Sequence, residues 1–245
     1  MNTQAFTWLL KREYWENRGG FWLAPLVTAA IFLGLQGLGL VTAEIFKGKI
    51  EGDIQIGVPI GELTRNLGER EMEMIGHGLN MSLASYSTII QIVLFFVLFF
   101  YLLGALYDER KDRSILFWKS LPVSDTETVL SKVASALLVA PVIAFVITIV
   151  AHLAFLAMIS LYVMAYGLSP FTFIWGPADP MVLWLDHLVT IPVQMLWALP
   201  AVGWLMLCSC WARSKPFLWA VLVPVAFGVI NVFFSLWGLV HVTNA

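Results

Sequence analysis

The sequence predicts an all-α protein that crosses a membrane several times, and three observations carry that prediction. Of 245 residues, 60% are hydrophobic and only 12% are charged, about half the ~25% charge of an average soluble domain. The mean hydropathy is +0.83, more apolar surface than a soluble domain of this length could hide from water. The charges also fall in a few clusters, with long apolar stretches between them. A soluble enzyme, a disordered regulator and a basic nucleic-acid binder are excluded. The 14 basic and 16 acidic residues nearly cancel, so no basic field exists to hold DNA. Eleven Trp and seventeen Phe suit lipid interfaces, and two Cys cannot make a disulfide scaffold. We expect one transmembrane domain over 1–245.

Residues 1–20 come first. Phe6, Leu9, Leu10, Glu13 and Tyr14 follow helical spacing, with Trp8 and Trp15 one heptad apart. Lys11, Arg12, Glu16 and Arg18 cover the other side. This pattern predicts an amphipathic helix lying in the headgroup region, broken by Gly19-Gly20. A signal peptide does not fit: the polar part is too long, and no small-residue cleavage site follows a short apolar core.

Five spans follow. Phe21 to Ala43 is uncharged for 23 residues, more than the ~20 that cross ~30 Å of hydrocarbon. Residues 44–80 carry seven acids and four bases and are expected outside the bilayer. The second span runs from Met81 to Tyr107. A compact loop, 108–132, holds five bases and five acids. Val133 to Tyr166 then lacks charge for 34 residues, about 51 Å of helix, too short for two spans and a turn. One long projecting helix is expected. Ala136, Ala140 and Ala144 make a small-residue stripe that would admit a close neighbour, although small residues are common in spans anyway. The fourth span, His187 to Cys210, is interrupted by Pro192 and Pro200, and the fifth runs from Pro216 to Val240. With the N-terminus inside, the inner segments hold ten Lys or Arg and the outer segments four. The positive-inside rule therefore favours a cytoplasmic N-terminus.

The chemistry missing from the chain narrows function. GELTRNLGER and KGKIEG lack the spacing of a phosphate-binding loop. No HExxH and no Cys–His cluster occur, and Cys208 and Cys210 read as small apolar fillers. No acidic or basic residue lies deep in any span; His152 is there, with Asp186 and His187 at a rim. Ion-coupled carriers and pumps usually need an intramembrane Asp, Glu or Lys, so energy for uphill transport would have to arrive from elsewhere. His152 is expected to be a hydrogen-bonded packing residue, with a proton relay as its alternative.

The 108–132 loop is where that energy could enter. Glu109 and Arg113 stand at i,i+4, supporting a short helix. Ile115, Leu116, Phe117 and Trp118 form an apolar run that marks a lipid contact or a docking site. Pro122 ends it, and Ser124 with Glu127 makes a capping box that starts the third span. The loop reads as a rigid helix–turn–helix foot, with a well-packed intracellular turn as the plainer alternative.

The opening LLKREYWENRGGFW and the foot LYDERKDRSILFWKSLPVSDTETVLSK resemble the membrane subunits of the ABC type-two permease (exporter) family. The two motifs cover about 40 residues; span order extends the resemblance loosely over the rest. The resemblance implies a permease subunit without an ATPase site, in an inner (plasma) membrane, working as a homodimer or heterodimer with separate ATPase subunits that hold ATP and Mg. It implies that Glu13, Trp15 and Arg18 belong to an elbow helix. It also implies that Asp108 to Lys119 dock into the ATPase as a coupling helix: Asp108, Glu109, Arg110, Arg113, Ile115, Leu116, Phe117, Trp118 and Lys119. The family usually has six spans. Five here imply either a shortened chain, which we favour, or a hairpin within 133–166. Two rivals to a permease are a membrane-embedded enzyme using His77, His152 or His187, and a non-transporting scaffold.

Overall fold

The computed structural model describes residues 3–53, 68–118 and 123–236, the side chains of 47–53, 117, 118 and 236 excepted. Among them every regular element is helical. The helices are α1 (Thr3–Glu16), α2 (Ala24–Asp53), α3 (Glu69–Gly104), α4 (Tyr107–Lys111), α5 (Ser114–Trp118), α6 (Asp125–Ala134), α7 (Ala140–Ala165), α8 (Pro180–Trp211) and α9 (Pro216–Leu236). Among the described residues, five helical stretches are long and apolar enough to span a membrane: Gly19–Phe46, Glu69–Lys111, Asp125–Ala165, Pro180–Trp211 and Pro216–Ser235. Their outer faces are apolar too, with Leu35, Phe96, Val150, Trp197 and Val229 all more than half exposed. Apolar residues both inside and outside are what lipid, as the surrounding solvent, permits. The chain is an all-α polytopic membrane protein.

Several boundaries differ from the sequence expectation. The first helix ends at Glu16, just ahead of Gly19-Gly20, and Gly19–Leu23 winds as a wider π turn that leads into α2. The segment 44–80 is not simply a polar loop, because α2 runs on to Asp53 and α3 begins at Glu69. Good helix formers such as those of EREMEM let α3 continue past its apolar stretch. Residues 54–67 of that segment lie outside the described residues. The third span starts eight residues early, at Asp125, because the Ser124–Glu127 capping box forms as expected. It is continuous through a π turn at Ser135–Val139 into α7, so the hairpin alternative for 133–166 is excluded. Pro192 and Pro200 do not interrupt α8, since packed membrane helices can re-satisfy the carbonyls a proline frees. The last residues of the expected fifth span, 237–240, lie outside the described residues.

The chain forms two compact units. One comprises Met1–Glu16, Leu98–Leu137 and Met195–Ala245; the other comprises Asn17–Val97 and Leu138–Gln194. In the second unit Tyr86 of α3 is fully buried. Its ring meets Phe32 of α2 at 4.7 Å and Phe155 of α7 at 5.6 Å. Its hydroxyl donates to Gln36 Oε1 at 2.7 Å. One side chain thus ties three helices. Near the end of α7, the hydroxyls of Tyr162 and Tyr166 donate to the Glu44 carboxylate, and that bond to Glu44 raises the Tyr166 phenol pKa. The alanine stripe is packed along its whole length: Ala136, Ala140 and Ala144 are each 1% exposed or less, with α7 lying against α2.

A side chain added inside that stripe must push neighbours aside. We expect Ala144→Leu to destabilise the detergent-solubilised protein by about 1–3 kcal/mol, while Val142→Leu, at a half-exposed position, changes it little. Thermal unfolding of the two variants checks this.

Candidate functional site

The chemistry-bearing groups of the first unit converge where α1, α4 and α6 meet. Glu13 lies on the inward face of α1 with Leu9 and is 1% exposed. Lys132, on the last turns of α6, is 2% exposed. Its Nζ lies 2.8 Å from Glu13 Oε1 and 3.0 Å from Glu109 Oε1. Arg12 closes the set, contacting Glu109, standing 3.4 Å from Glu13 Oε1 and donating to Glu16 Oε1 at 2.9 Å. The other oxygen of Glu13 accepts from the Tyr101 hydroxyl at 2.8 Å. Burial works against the Arg12 charge, but Glu16, Glu13 and Glu109 outweigh it and hold its pKa above the ordinary value. Two cations and two inward carboxylates therefore balance, with Glu16 half-exposed at the margin.

The foot is gripped from a second side. Ser209 of α8 is fully buried, and its Oγ accepts from the amides of Leu106 and Tyr107, each at 3.0 Å. These are N-terminal amides of α4, which has no cap of its own; Ser209 supplies one from another helix. Arg110 returns the interaction, donating from one nitrogen to the carbonyls of Ser209 and Ala212, each at 2.8 Å. Carbonyls at a helix C-terminus lack intrahelical donors and carry partial negative charge, which suits a guanidinium.

The expected docking residues therefore divide into two sets. Glu109 and Arg110 turn inward and hold the foot; they are not part of a free surface. The expected Glu109–Arg113 pair does not support one helix: Glu109 is drawn to Lys132 and Arg12. At Arg113 the backbone adopts φ 58° and separates α4 from α5. Asp108 and Arg113 are exposed, Ile115 is half-buried and Leu116 is 67% exposed. Phe117 and Trp118 complete α5, and Lys119 lies outside the described residues. On the N-terminal side, Trp15 and Arg18 face outward, as does Trp8, with Lys11 Nζ 4.9 Å from its ring. Glu13 is no surface residue but the centre of the buried set.

Tyr101, Ser209 and Ala212 carry no signal in the sequence, whereas Lys132 stands in the foot motif as the Lys at the next span. Glu13 on an otherwise apolar face was the one available signal that a buried cation must meet it. The expected spans hold no acidic or basic residue deep within them, and the charges gather where the helices run beyond their apolar centres. At those ends the helical stretches Glu69–Lys111 and Asp125–Ala165 carry Glu109 into a partly buried position and Lys132 into a buried one.

The histidines of the second unit do not assemble a centre. His152 Nε2 lies 2.8 Å from the Leu83 carbonyl and 3.3 Å from Ser87 Oγ. Its Nδ1 accepts from Trp184 Nε1 at 3.0 Å. Both nitrogens are thereby committed to neutral, packing hydrogen bonds among α3, α7 and α8, each worth about 0.6 kcal/mol in a membrane protein. His187 pairs instead with Gln91 at 2.8 Å and stacks on Phe145. His77 lines a separate cavity with Glu73 and Asn80. Among the described residues, no three His, Cys, Asp or Glu side chains are grouped as a metal requires.

Removing one partner of a buried ion set strands the others. We expect Lys132→Met to destabilise the purified protein by about 3–5 kcal/mol, and added Glu13→Gln, which leaves Arg12 paired with Glu109, to restore most of the loss. Unfolding midpoints of the single and combined variants test this; a Lys132→Met protein as stable as the original contradicts it.

No protein-family model matches the chain, and no curated protein or solved structure matches it.

Proposed function

We propose that the chain is the permease subunit of an ATP-driven exporter, working with a separate ATPase subunit of the ATP-binding-cassette type. The observation that supports this reading most is the ion set joining Glu13, Lys132, Glu109 and Arg12. It ties the N-terminal helix and the start of the third span to the foot. The foot itself leaves Asp108, Arg113 and Leu116 outward. A rigid foot with an exposed tip is what transmission of a partner's motion requires; a loose loop would absorb the motion.

In this reading the N-terminus is cytoplasmic, in the plasma or inner membrane, and α1 lies on the inner leaflet with Trp8 and Trp15 in the headgroups. The tip formed by α4 and α5 seats in the ATPase subunit, which binds ATP and Mg and hydrolyses the nucleotide. Closure of two ATPases pulls the tips of two permease copies. Each foot carries that displacement through Lys132 into α6 and the third span. The spans then switch between two arrangements that open the path to opposite sides. This chain performs no covalent chemistry; it converts a partner's movement into access.

The test is co-expression with an ATP-binding-cassette ATPase from the same genome, preferably one encoded beside this chain. Phe117→Asp combined with Trp118→Asp is expected to cut ATPase recovery on the purified permease at least about tenfold, as loss of an apolar anchor at a docking centre does, and to abolish transport. Full recovery and transport by that variant overturn the proposal.

A further inference from the structure

A polar groove runs along the second unit between α3 and α8. Asp186, Thr190 and Gln194 stand one helical turn apart on α8, so they share one face over about 12 Å. Ser87, Thr88 and Gln91 of α3 line the opposite wall of the same open cavity, about 450 Å³ in volume. Asp186 and Gln194 are exposed. Polar and ionisable side chains on the open face of a membrane helix are costly unless something meets them, and seven lining one concavity, His187 included, form a site with convergent polar groups.

The hydrogen-bond bookkeeping gives this groove a chemical sign. The Thr190 hydroxyl donates to the Asp186 carbonyl at 2.7 Å, and the Thr88 hydroxyl donates to the Ala84 carbonyl at 2.9 Å. Both protons go to the helix backbone, leaving lone pairs toward the groove. The Gln91 amide nitrogen is engaged with His187 at 2.8 Å. Its amide oxygen is then left as an acceptor, and the Asp186 carboxylate offers acceptors alone. Beyond the polar stripe the lining turns apolar, with Ile92 51% and Phe95 63% exposed. The groove thus offers the Asp186 carboxylate and the Thr88, Thr190 and Gln91 oxygens as acceptors, beside N–H donors of the Gln194 amide and the His187 ring, and continues into an apolar track.

We propose that this groove binds a cationic amphiphile whose head is a hydrogen-bond-donating ammonium or guanidinium. The head sits against Asp186 with its N–H groups on the hydroxyl and amide oxygens, and the alkyl tail lies along Ile92 and Phe95. A concave groove with both walls supplied by one chain suits a small ligand better than a second copy of itself, which would present concave to concave. Binding at this site needs no ATPase partner; that the bound molecule is cargo rests on the permease reading.

The experiment measures equilibrium binding of tritiated dodecylamine to the full chain in phosphatidylcholine nanodiscs, against empty nanodiscs. Saturable binding is expected, displaced by dodecylguanidine but not by dodecyl sulfate. Asp186→Asn is expected to weaken it about tenfold, the size of one charge-assisted hydrogen bond, and Gln194→Leu to weaken it less. The headgroup comparison uses the unaltered protein, so it stands even if a variant fails to fold. Equal displacement by dodecyl sulfate, or unchanged affinity in a folded Asp186→Asn protein, overturns the proposal. So does an altered oligomeric state of the variants with binding intact, which would make the groove an interface between copies. Failure of the ATPase co-purification with this binding preserved would remove the permease reading alone.

Discussion

A carboxylate, Glu13, sits at 1% exposure on a helix that is otherwise apolar on that side. An isolated ion so placed would be prohibitively costly, so the position exists only because Lys132, Arg12 and the Tyr101 hydroxyl meet it. Lys132 is equally buried and has the same need, which Glu109 shares in meeting. Three segments far apart in sequence are thereby fixed to one another by groups that cannot be left alone. Ion sets of this kind are a weak source of net stability but a strong constraint on arrangement, because every alternative strands a charge. That constraint is directional, whereas the apolar packing around it is not.

The grip of Ser209 and Arg110 extends the same logic to dipoles. The start of α4 has amides without partners and the end of α8 has carbonyls without partners. One hydroxyl serves the first set and one guanidinium nitrogen serves the second. Two helix ends thus satisfy each other through two side chains, and α4 is held on both flanks. At Arg113 the left-handed backbone turns the chain and leaves Leu116 outward. A fixed base with an exposed tip suits a lever, and that mechanical property underlies the functional proposal.

Much of this was legible in the sequence because it follows from short-range rules. Spans appear as uncharged runs, the capping box appears as Ser124 with Glu127, and the shared side of Trp8 and Trp15 appears as heptad spacing, though not that it faces outward. The span limits were less legible. Helix propensity and caps carry α3 and α6 beyond their apolar residues, and hydropathy records only the apolar residues. The ion set was hardest to read, since Glu13 meets Lys132 across 119 positions. Spacing did offer a partner for Glu109, namely Arg113, but the Arg113 turn and the pull of two buried cations defeat that local pairing. Ser209 carried no signal at all: a serine between two cysteines in a span looks like filler until the amides of Leu106 and Tyr107 are placed against it. The polar stripe of Asp186, Thr190 and Gln194 was not legible, because Asp186 alone marks a rim and the stripe gains meaning only against the facing wall of α3.

The central claim is that buried charge locks α1 to the foot. Spin labels at Lys11→Cys and Asp108→Cys, both exposed positions in the first unit, report the α1–α4 distance by pulsed electron resonance, after the native cysteines Cys208 and Cys210 are replaced by serine. A narrow distance distribution is expected with Lys132 present, broadening markedly when Lys132→Met removes the shared cation. A distribution that is equally narrow without Lys132 would contradict the claim and assign the rigidity of the foot to packing.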